Sequence, residues 1–172
     1  IIQRIDDADA KILVADSNLH RDKISTYDLS RALKMKMEGM KQKAGRKKKG
    51  ELGEKLNTDE AIAKEMGITV SKFNRMLRMS EATKDVCSKV DDGTLALSIA
   101  SALSFLKPKN QDMAVRLSDL GYRLSTERVE YLKRVEKADR LTEDAMRKVL
   151  EGENILDPPK VVPLPVKQET NS

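Results

Sequence analysis

Residue types on which catalysis, metal binding and disulfides depend are scarce in this sequence. Its 172 residues include one cysteine, one histidine, no tryptophan and 3% aromatic residues. A single cysteine excludes a disulfide within the chain, and Cys87 and His20 alone cannot build the usual zinc site. We therefore expect no metal site, and we expect a reducing, cytoplasmic setting.

Long apolar runs are also missing. No segment approaches the roughly 18 apolar residues of a membrane span, and the start of the chain lacks a signal-peptide pattern. We therefore expect no membrane partner. Hydrophobic residues still make up 39% of the chain, and with so few aromatics the core has to come from Leu, Ile, Val, Ala and Met, which favours packed helices.

Charge is abundant but unevenly distributed. Charged residues make up 35% of the chain, and its formal net charge is +5. The segment 41–55 contains seven Lys or Arg and two Glu, so it accounts for the whole net charge. Its glycines and clustered like charges indicate a mobile basic loop, which either contacts phosphate or is a solvated linker. The candidate phosphate contacts in it are Arg46, Lys47, Lys48 and Lys49.

The apolar spacing predicts an all-α fold. Ser25 with Asp28 is typical of a capping box, and later helices are expected to begin at Ser, Thr or Asn and to end at Gly or Pro. The predicted starts are Thr58, Ser71, Ser98, Asn110, Ser125 and Thr142, with the last helix ending at Gly152. The segment 12–15, ILVA, is the exception and is a plausible strand. Because it has no partner strand and the chain opens without Met, we expect an upstream domain to have been cut away.

The segment 58–79, TDEAIAKEMGITVSKFNRMLRM, meets the requirements of a helix-turn-helix. This motif packs two short helices steeply, so it needs a small residue at the crossing, a glycine in the turn and a shared apolar face. Ala63 is the small residue, and Gly67 is free to adopt positive φ. The predicted inward set is Ile62, Met66, Ile68, Phe73, Met76 and Leu77. An ordinary helical hairpin with a solvated charged face is the alternative interpretation.

The outer face of the second motif helix carries the predicted DNA contacts. Arg, Asn, Ser and Thr side chains read base edges and bind phosphates in the major groove. We expect Ser71 to cap this helix. We expect Asp59 and Glu60 to stabilise the first turn of the preceding helix through its dipole. The candidate contacts are Thr69, Ser71, Lys72, Asn74, Arg75 and Arg78.

Several segments occur in an order that is more specific than any one of them. The apolar run 12–15 precedes segment 17–21, SNLHR, and Leu77-Arg78-Met79 closes the second motif helix. The segment 90–95, VDDGTL, and an Ala-rich segment, 96–106, follow. In this order, over about residues 11–149, the chain resembles the ParB family of bacterial plasmid and chromosome partition proteins, whose members include KorB and Noc.

The resemblance implies a nucleotide site in the full-length protein. In the family, the Asn and Arg of an E-N-x-x-R segment help to hold CTP and its Mg²⁺, which makes Asn18 and Arg21 candidates for that role. Ser17 stands where the family has an acidic residue, and the family's upstream G-E-R-R box does not appear in this chain. We therefore expect no cofactor here and do not expect this chain to be an enzyme. The alternative is that Asn18 and Arg21 cap and brace the following helix.

The predicted architecture is a helix-turn-helix DNA-binding domain followed by a small helical linker domain. Residues 1–24 are interpreted as the remnant of a nucleotide-binding domain, 25–80 as a helix, the basic loop and the motif, 81–152 as the linker domain, and 153–172 as a disordered Pro-rich tail. Because relatives use residues in the following helices, Lys84 joins the candidate contacts.

The predicted function is sequence-specific binding of double-stranded DNA, as a ParB-like partition protein on the nucleoid or a plasmid. The resemblance implies a homodimer on a palindromic site and a Walker-type partition ATPase as a further partner. Two alternatives remain. The first is a transcriptional regulator of a plasmid or other mobile element, and the second is a CTP-gated DNA clamp formed by the full-length protein.

Overall fold

The computed structural model describes residues 5–19, 23–45 and 58–156. Within these ranges every regular element is helical, so the prediction of an all-α fold is confirmed. The helices are α1 (Asp7–Leu19), α2 (Thr26–Gly45), α3 (Thr58–Glu65), α4 (Val70–Arg78), α5 (Lys84–Asp91), α6 (Leu97–Leu103), α7 (Pro108–Asp119), α8 (Thr126–Lys137) and α9 (Glu143–Glu151), with a 3-10 turn at Met79–Glu81. None of the described helices is long and apolar enough to cross a membrane.

The predicted strand at 12–15 is wrong, because this segment lies inside α1. Ala8 and Ala15 are buried on one side of the helix, whereas Leu13 and Val14 are 61% and 49% exposed. An isolated strand would leave its backbone groups unpaired, while a helix satisfies them within the segment. The buried alanines then pack α1 against α2.

Small residues let α1 and α2 approach closely. A Cβ atom on Gly39 of α2 would lie 2.8 Å from the Ala8 carbonyl oxygen and 2.8 Å from Ile12 Cγ1. Both distances are shorter than a van der Waals contact, and both neighbouring atoms belong to the closely packed facing helix. A side chain at this position would therefore push α1 and α2 apart. Gly39 is therefore required by the packing of this helix pair.

A buried lysine of α2 forms ion pairs with both α1 and α3. Lys36 of α2 is 5% exposed, and its Nζ lies 2.9 Å from Asp16 Oδ1 of α1 and 2.7 Å from Glu65 Oε1 of α3. Burial by itself would lower the pKa of Lys36, but the hydrogen bonds to Glu65 and Asp16 outweigh it and raise the pKa above its usual value. Lys36 therefore stays charged and links α1 to α3.

Two hydrophobic clusters fill the described part of the chain. The smaller cluster consists of Leu33, Ile62, Ala63 and Phe73 and lies between α2, α3 and α4. The larger cluster has twenty buried residues, from Met79 to Leu150, contributed by the 3-10 turn, by α5 to α9 and by the segments that connect them. Helix α2 also reaches the larger cluster, since Tyr27 packs against it and Asp91 of α5 accepts hydrogen bonds from Thr26.

Several predicted helix ends are confirmed. The Ser25 hydroxyl accepts a hydrogen bond from the Asp28 backbone N–H at 3.1 Å, as in a capping box. Ser125 and Thr142 cap α8 and α9, and Gly152 ends α9 with a φ of +105°. The residue before Thr58, the expected start of α3, lies outside the described residues, so this start stays a prediction.

Other predicted helix ends are wrong. Helix α6 begins at Leu97 after an uncapped Ala96, before the expected Ser98. Helix α7 begins at Pro108, so Asn110 lies inside it, where it is buried and donates to Glu136 of α8. Proline is favoured in the first helical turn, because the N–H it lacks would have no partner there. A proline expected to end one helix therefore begins the next.

Two segments predicted to lack structure are partly ordered. Helix α2 continues to Gly45, so the first residues of the predicted basic loop are helical. At the other end of the chain, the disorder predicted from residue 153 is wrong for Ile155 and Leu156, which pack against the larger cluster, and the Leu156 N–H donates to the Tyr131 hydroxyl at 2.8 Å. The rest of the tail lies outside the described residues.

Candidate nucleic-acid interface

Helices α3 and α4 form a pair joined by a tight turn. Gly67 adopts a φ of +64°, which L side chains rarely adopt. The turn is closed by two backbone hydrogen bonds, from Gly67 N–H to the Lys64 carbonyl at 3.1 Å and from Ile68 N–H to the Ala63 carbonyl at 3.0 Å. Ala63 is buried beside this turn. The sequence therefore placed the turn glycine and the small residue correctly.

The inner faces of the pair pack on α2. Ile62, Ala63 and Phe73 are buried with Leu33 of α2. The remaining predicted inward residues, Met66, Ile68, Met76 and Leu77, are partly buried against the same cluster. The inner face of α4 is thus buried against α2 and α3, so the opposite face of α4 points to solvent.

Thr69, and not the predicted Ser71, caps α4. Thr69 is extended, with φ −72° and ψ 149°, and its hydroxyl accepts a hydrogen bond from the Lys72 N–H at 3.2 Å. The turn after Gly67 leaves Thr69 as the last extended residue, so the helix begins two residues earlier than expected. The Thr69 hydroxyl is therefore engaged in capping α4. Ser71 lies in the first turn of the helix, and its side chain is exposed.

The outer face of α4 is polar, basic and exposed. Ser71, Lys72, Asn74 and Arg75 are exposed, and no hydrogen bond or ion pair to another described residue engages their side chains. The sequence of α4, VSKFNRMLR, contains no acidic residue. By contrast, α3 has Asp59 and Glu60 in its first turn, where their negative charges interact favourably with the positive end of the helix dipole. The positive end of the α4 dipole has no such carboxylate.

Arg78, another predicted contact, is half-buried, and other residues of the protein engage its side chain. Its Nε donates to the Ser104 hydroxyl at 3.1 Å, and an Nη donates to the Ser104 carbonyl at 3.0 Å. Its guanidinium also lies 3.7 Å from the centre of the Phe105 ring. Arg78 is therefore not on the freely exposed face with Arg75, and it joins the end of α4 to the end of α6.

Lys84 is exposed at the start of α5, beyond the 3-10 turn. Its Nζ lies 5.3 Å from the centre of the Tyr27 ring of α2, and the Arg31 guanidinium lies 3.3 Å from the centre of the same ring. Two cations thus share one aromatic ring here. Tyr27 and Arg31 are not among the predicted contacts, although their spacing of four along α2 indicates that they share one helix face.

An ion pair holds the far end of α4 to α2. The Lys34 Nζ lies 2.6 Å from Glu81 Oε1 in the 3-10 turn that follows α4. This hydrogen bond, with the charge of Lys34, lowers the pKa of Glu81 below its ordinary value. Glu81 therefore stays ionised near neutral pH, and this pair holds the C-terminal end of α4 to α2.

The candidate nucleotide-binding residues are only partly within the described residues. Asn18 lies in α1, and its side-chain amide donates to the Val14 carbonyl one turn back at 3.1 Å. Arg21 lies outside the described residues, as do Arg46, Lys47, Lys48 and Lys49 of the basic loop. Asn18 thus braces its own helix, and the nucleotide role of the pair stays a prediction.

No group of three or more His, Cys, Asp or Glu side chains within the described ranges is arranged to hold a metal ion. Cys87 is buried, and burial raises the pKa of its thiol to about 11. Comparison with protein-family models, with curated proteins and with solved structures gives no match for this chain. The resemblance to the ParB family therefore rests on the order of its segments.

Proposed function

We propose that this chain binds double-stranded DNA sequence-specifically, with α3 and α4 as a helix-turn-helix and α4 in the major groove. The observation that carries the proposal is the contrast between the two faces of α4. Its inner face is buried around Phe73, whereas Ser71, Lys72, Asn74 and Arg75 are exposed without partners among the described residues. An α-helix with its side chains is about 10–12 Å across, which matches the width of the major groove, roughly 12 Å.

The residue types on this face suit DNA. Arg75 can donate two hydrogen bonds to one guanine, and Asn74 can pair with the edge of an adenine. Lys72 and the free backbone N–H groups at the start of α4 suit a phosphate, because both present positive charge. Arg75 is one helical turn beyond Ser71, so both reach the same side of the helix.

A role in partition, as in the ParB family, extends this proposal. On that view the DNA site is palindromic, the protein is a homodimer, and half-sites lie about 34 Å apart along the duplex. A transcriptional regulator would use the same face of α4 on the same kind of site. The two roles therefore differ in where the binding sites lie in the genome and in which proteins join the complex.

The test is to select bound duplexes from a random pool and to measure affinities by fluorescence anisotropy. Arg75→Ala is expected to cost about 1–3 kcal/mol on the selected duplex if Arg75 contacts a base. Its loss on a scrambled duplex should be smaller. Arg123→Ala is the matched control, since Arg123 is also exposed but lies in the loop between α7 and α8.

Three results would count against the proposal. Selection that enriches no sequence would argue against sequence-specific binding. Equal losses for Arg75→Ala and Arg123→Ala would remove α4 from the interface. Equal losses for Arg75→Ala on selected and scrambled duplexes would make Arg75 a phosphate contact and leave base reading to other residues.

A further inference from the structure

A half-exposed aromatic ring contacts two cations just after the end of α6. Phe105 is 50% exposed, although most of the residues of α6 before it are buried. The Arg78 guanidinium carbon of α4 lies 3.7 Å from the centre of the ring, and the Lys133 Nζ of α8 lies 4.1 Å from it. Phe105 thus brings together cations from two helices that are far apart in sequence.

This arrangement holds two like charges close together. Both cationic groups are near one ring centre, so they can be no farther apart than the sum of those two distances. The negative face of the ring attracts each cation, but the cations repel each other. An anion that contacts both would relieve the repulsion.

The charges of this cluster are incompletely neutralised within the described residues. Lys133 pairs with Glu130 at 2.8 Å, and this one carboxylate balances only one of the two cations. Arg78 donates only to Ser104, whose hydroxyl and carbonyl oxygens are neutral. The cluster therefore keeps net positive charge at the surface.

A groove with further cations continues from Phe105 between the start of α7 and the end of α8. Lys107, Lys133, Arg134 and Lys137 line it. Three carboxylates also line it, those of Glu130, Glu136 and Asp139, so its lining carries one more cation than anion. Glu136 accepts hydrogen bonds from the Lys107 backbone N–H and from the Asn110 side chain. Lys107 and Lys137 have no ion pair with a described residue.

We propose that Arg78, Phe105 and Lys133 form a phosphate-binding site that, with Lys107 and Lys137, contacts the DNA backbone beside the segment read by α4. This inference rests on the proposed function. Arg78 makes the groove continuous with α4, because it belongs to α4 and touches Phe105. Arg78 thus acts on the backbone, whereas Arg75 reads bases. The helices after α4 add affinity and fix register without reading sequence.

The test measures salt dependence on a fluorescein-labelled duplex roughly three helical turns long. Each lost phosphate contact lowers the slope of log affinity against log salt by about 0.9. Lys133→Gln is expected to weaken binding and to lower this slope by about that amount, and the double variant Lys133→Gln/Lys137→Gln by about twice as much. Lys133→Arg keeps the charge and should keep the slope. Arg123→Gln, beyond the opposite end of α8, should leave it unchanged.

The outcomes separate this inference from the proposed function. If the unaltered chain binds no duplex, the proposed function fails and this site fails with it. If the chain binds and Lys133→Gln has the same slope as Arg123→Gln, only this inference is overturned. A glutamate-rich peptide that binds in a Lys133-dependent way, without any effect of Lys133→Gln on DNA, would assign the groove to an acidic protein partner and would also overturn it.

Discussion

The two hydrophobic clusters are held together by different forces. Among the described residues the larger cluster buries twenty apolar residues from five helices and the segments that connect them, whereas the smaller cluster buries four. Burial of apolar surface stabilises a fold roughly in proportion to the buried area, so hydrophobic burial alone stabilises the larger cluster strongly. The smaller cluster, which positions α4, depends in addition on the ion pairs of Lys36 and on the close contact at Gly39.

This difference bears on the proposed interface. The α3–α4 pair lies on the thinner core, so single substitutions there should change the position of α4 more readily than substitutions among α5 to α9. Arg78 and the ion pair between Lys34 and Glu81 connect the thinner part to its neighbours. The following predictions test the contrast between the two clusters.

The largest expected effect comes from removing the only aromatic ring of the smaller cluster. Phe73→Ala should lower the free energy of unfolding by about 3–5 kcal/mol, since the ring is fully buried and leaves a cavity. Urea unfolding measures the loss. We expect the α3–α4 amides to exchange hydrogen early, while Cys87 in the larger cluster stays unreactive to iodoacetamide at neutral pH, because it is buried and its pKa is raised to about 11.

Leu132→Ala is the matched change in the larger cluster, at an expected cost of about 2–5 kcal/mol. It should expose Cys87 to the reagent together with loss of structure in α8. If Phe73→Ala exposes Cys87 as readily as Leu132→Ala does, the molecule unfolds as one unit and the contrast between the clusters is wrong.

The next effect concerns the ion pairs that support the smaller cluster. Lys36→Met should lower the free energy of unfolding by about 1–3 kcal/mol, because it removes charge-assisted hydrogen bonds to Asp16 and Glu65. Both carboxylates are partly exposed, so the loss should shrink in concentrated salt. Since the pKa of Lys36 is raised above 10.5, the contribution is complete below pH 10.5 and is lost only as the pH rises further.

Thermal and urea unfolding at low and high salt provide the measurement. Lys148→Met is the control, since Lys148 pairs with Asp144 on the exposed surface of α9 and such pairs contribute about 0–1 kcal/mol. Similar losses for Lys36→Met and Lys148→Met would remove electrostatics as a support of the smaller cluster.

The smallest expected effect is a gain in stability from a substitution beside the larger cluster. Asp139 follows α8 with a φ of +56°, the only positive φ of a described residue other than glycine. Its carboxylate is also close to the negative end of the helix dipole. Asp139→Gly should raise the free energy of unfolding by about 0.5–1 kcal/mol, because relief of strain exceeds the entropy cost of glycine. An unchanged or lower value in urea unfolding would show that Asp139 makes a stabilising contact.

Much of the candidate site could be predicted from local sequence signals. The turn at Gly67 and the buried face around Phe73 follow from backbone freedom and helical spacing, which act over a few residues. The capping residue was missed by two positions, because Thr69 and Ser71 are both good caps and only the course of the turn selects Thr69. The strand expected at 12–15 was wrong because an apolar run of four fits either element.

The sequence by itself determined the helical class, the caps Ser25, Ser125 and Thr142, and which side of α4 is apolar, because each depends on residues within one or two turns of one another. Only the tertiary structure decided that Arg78 is engaged by Ser104, twenty-six positions away, that Lys36 bridges α1 and α3, and that Phe105 gathers two cations. These contacts join residues that no local spacing relates, so they exist only once the helices have packed. They also divide the predicted basic residues between Arg75, free to read bases in the proposed function, and Arg78, which joins α4 to the helices behind it.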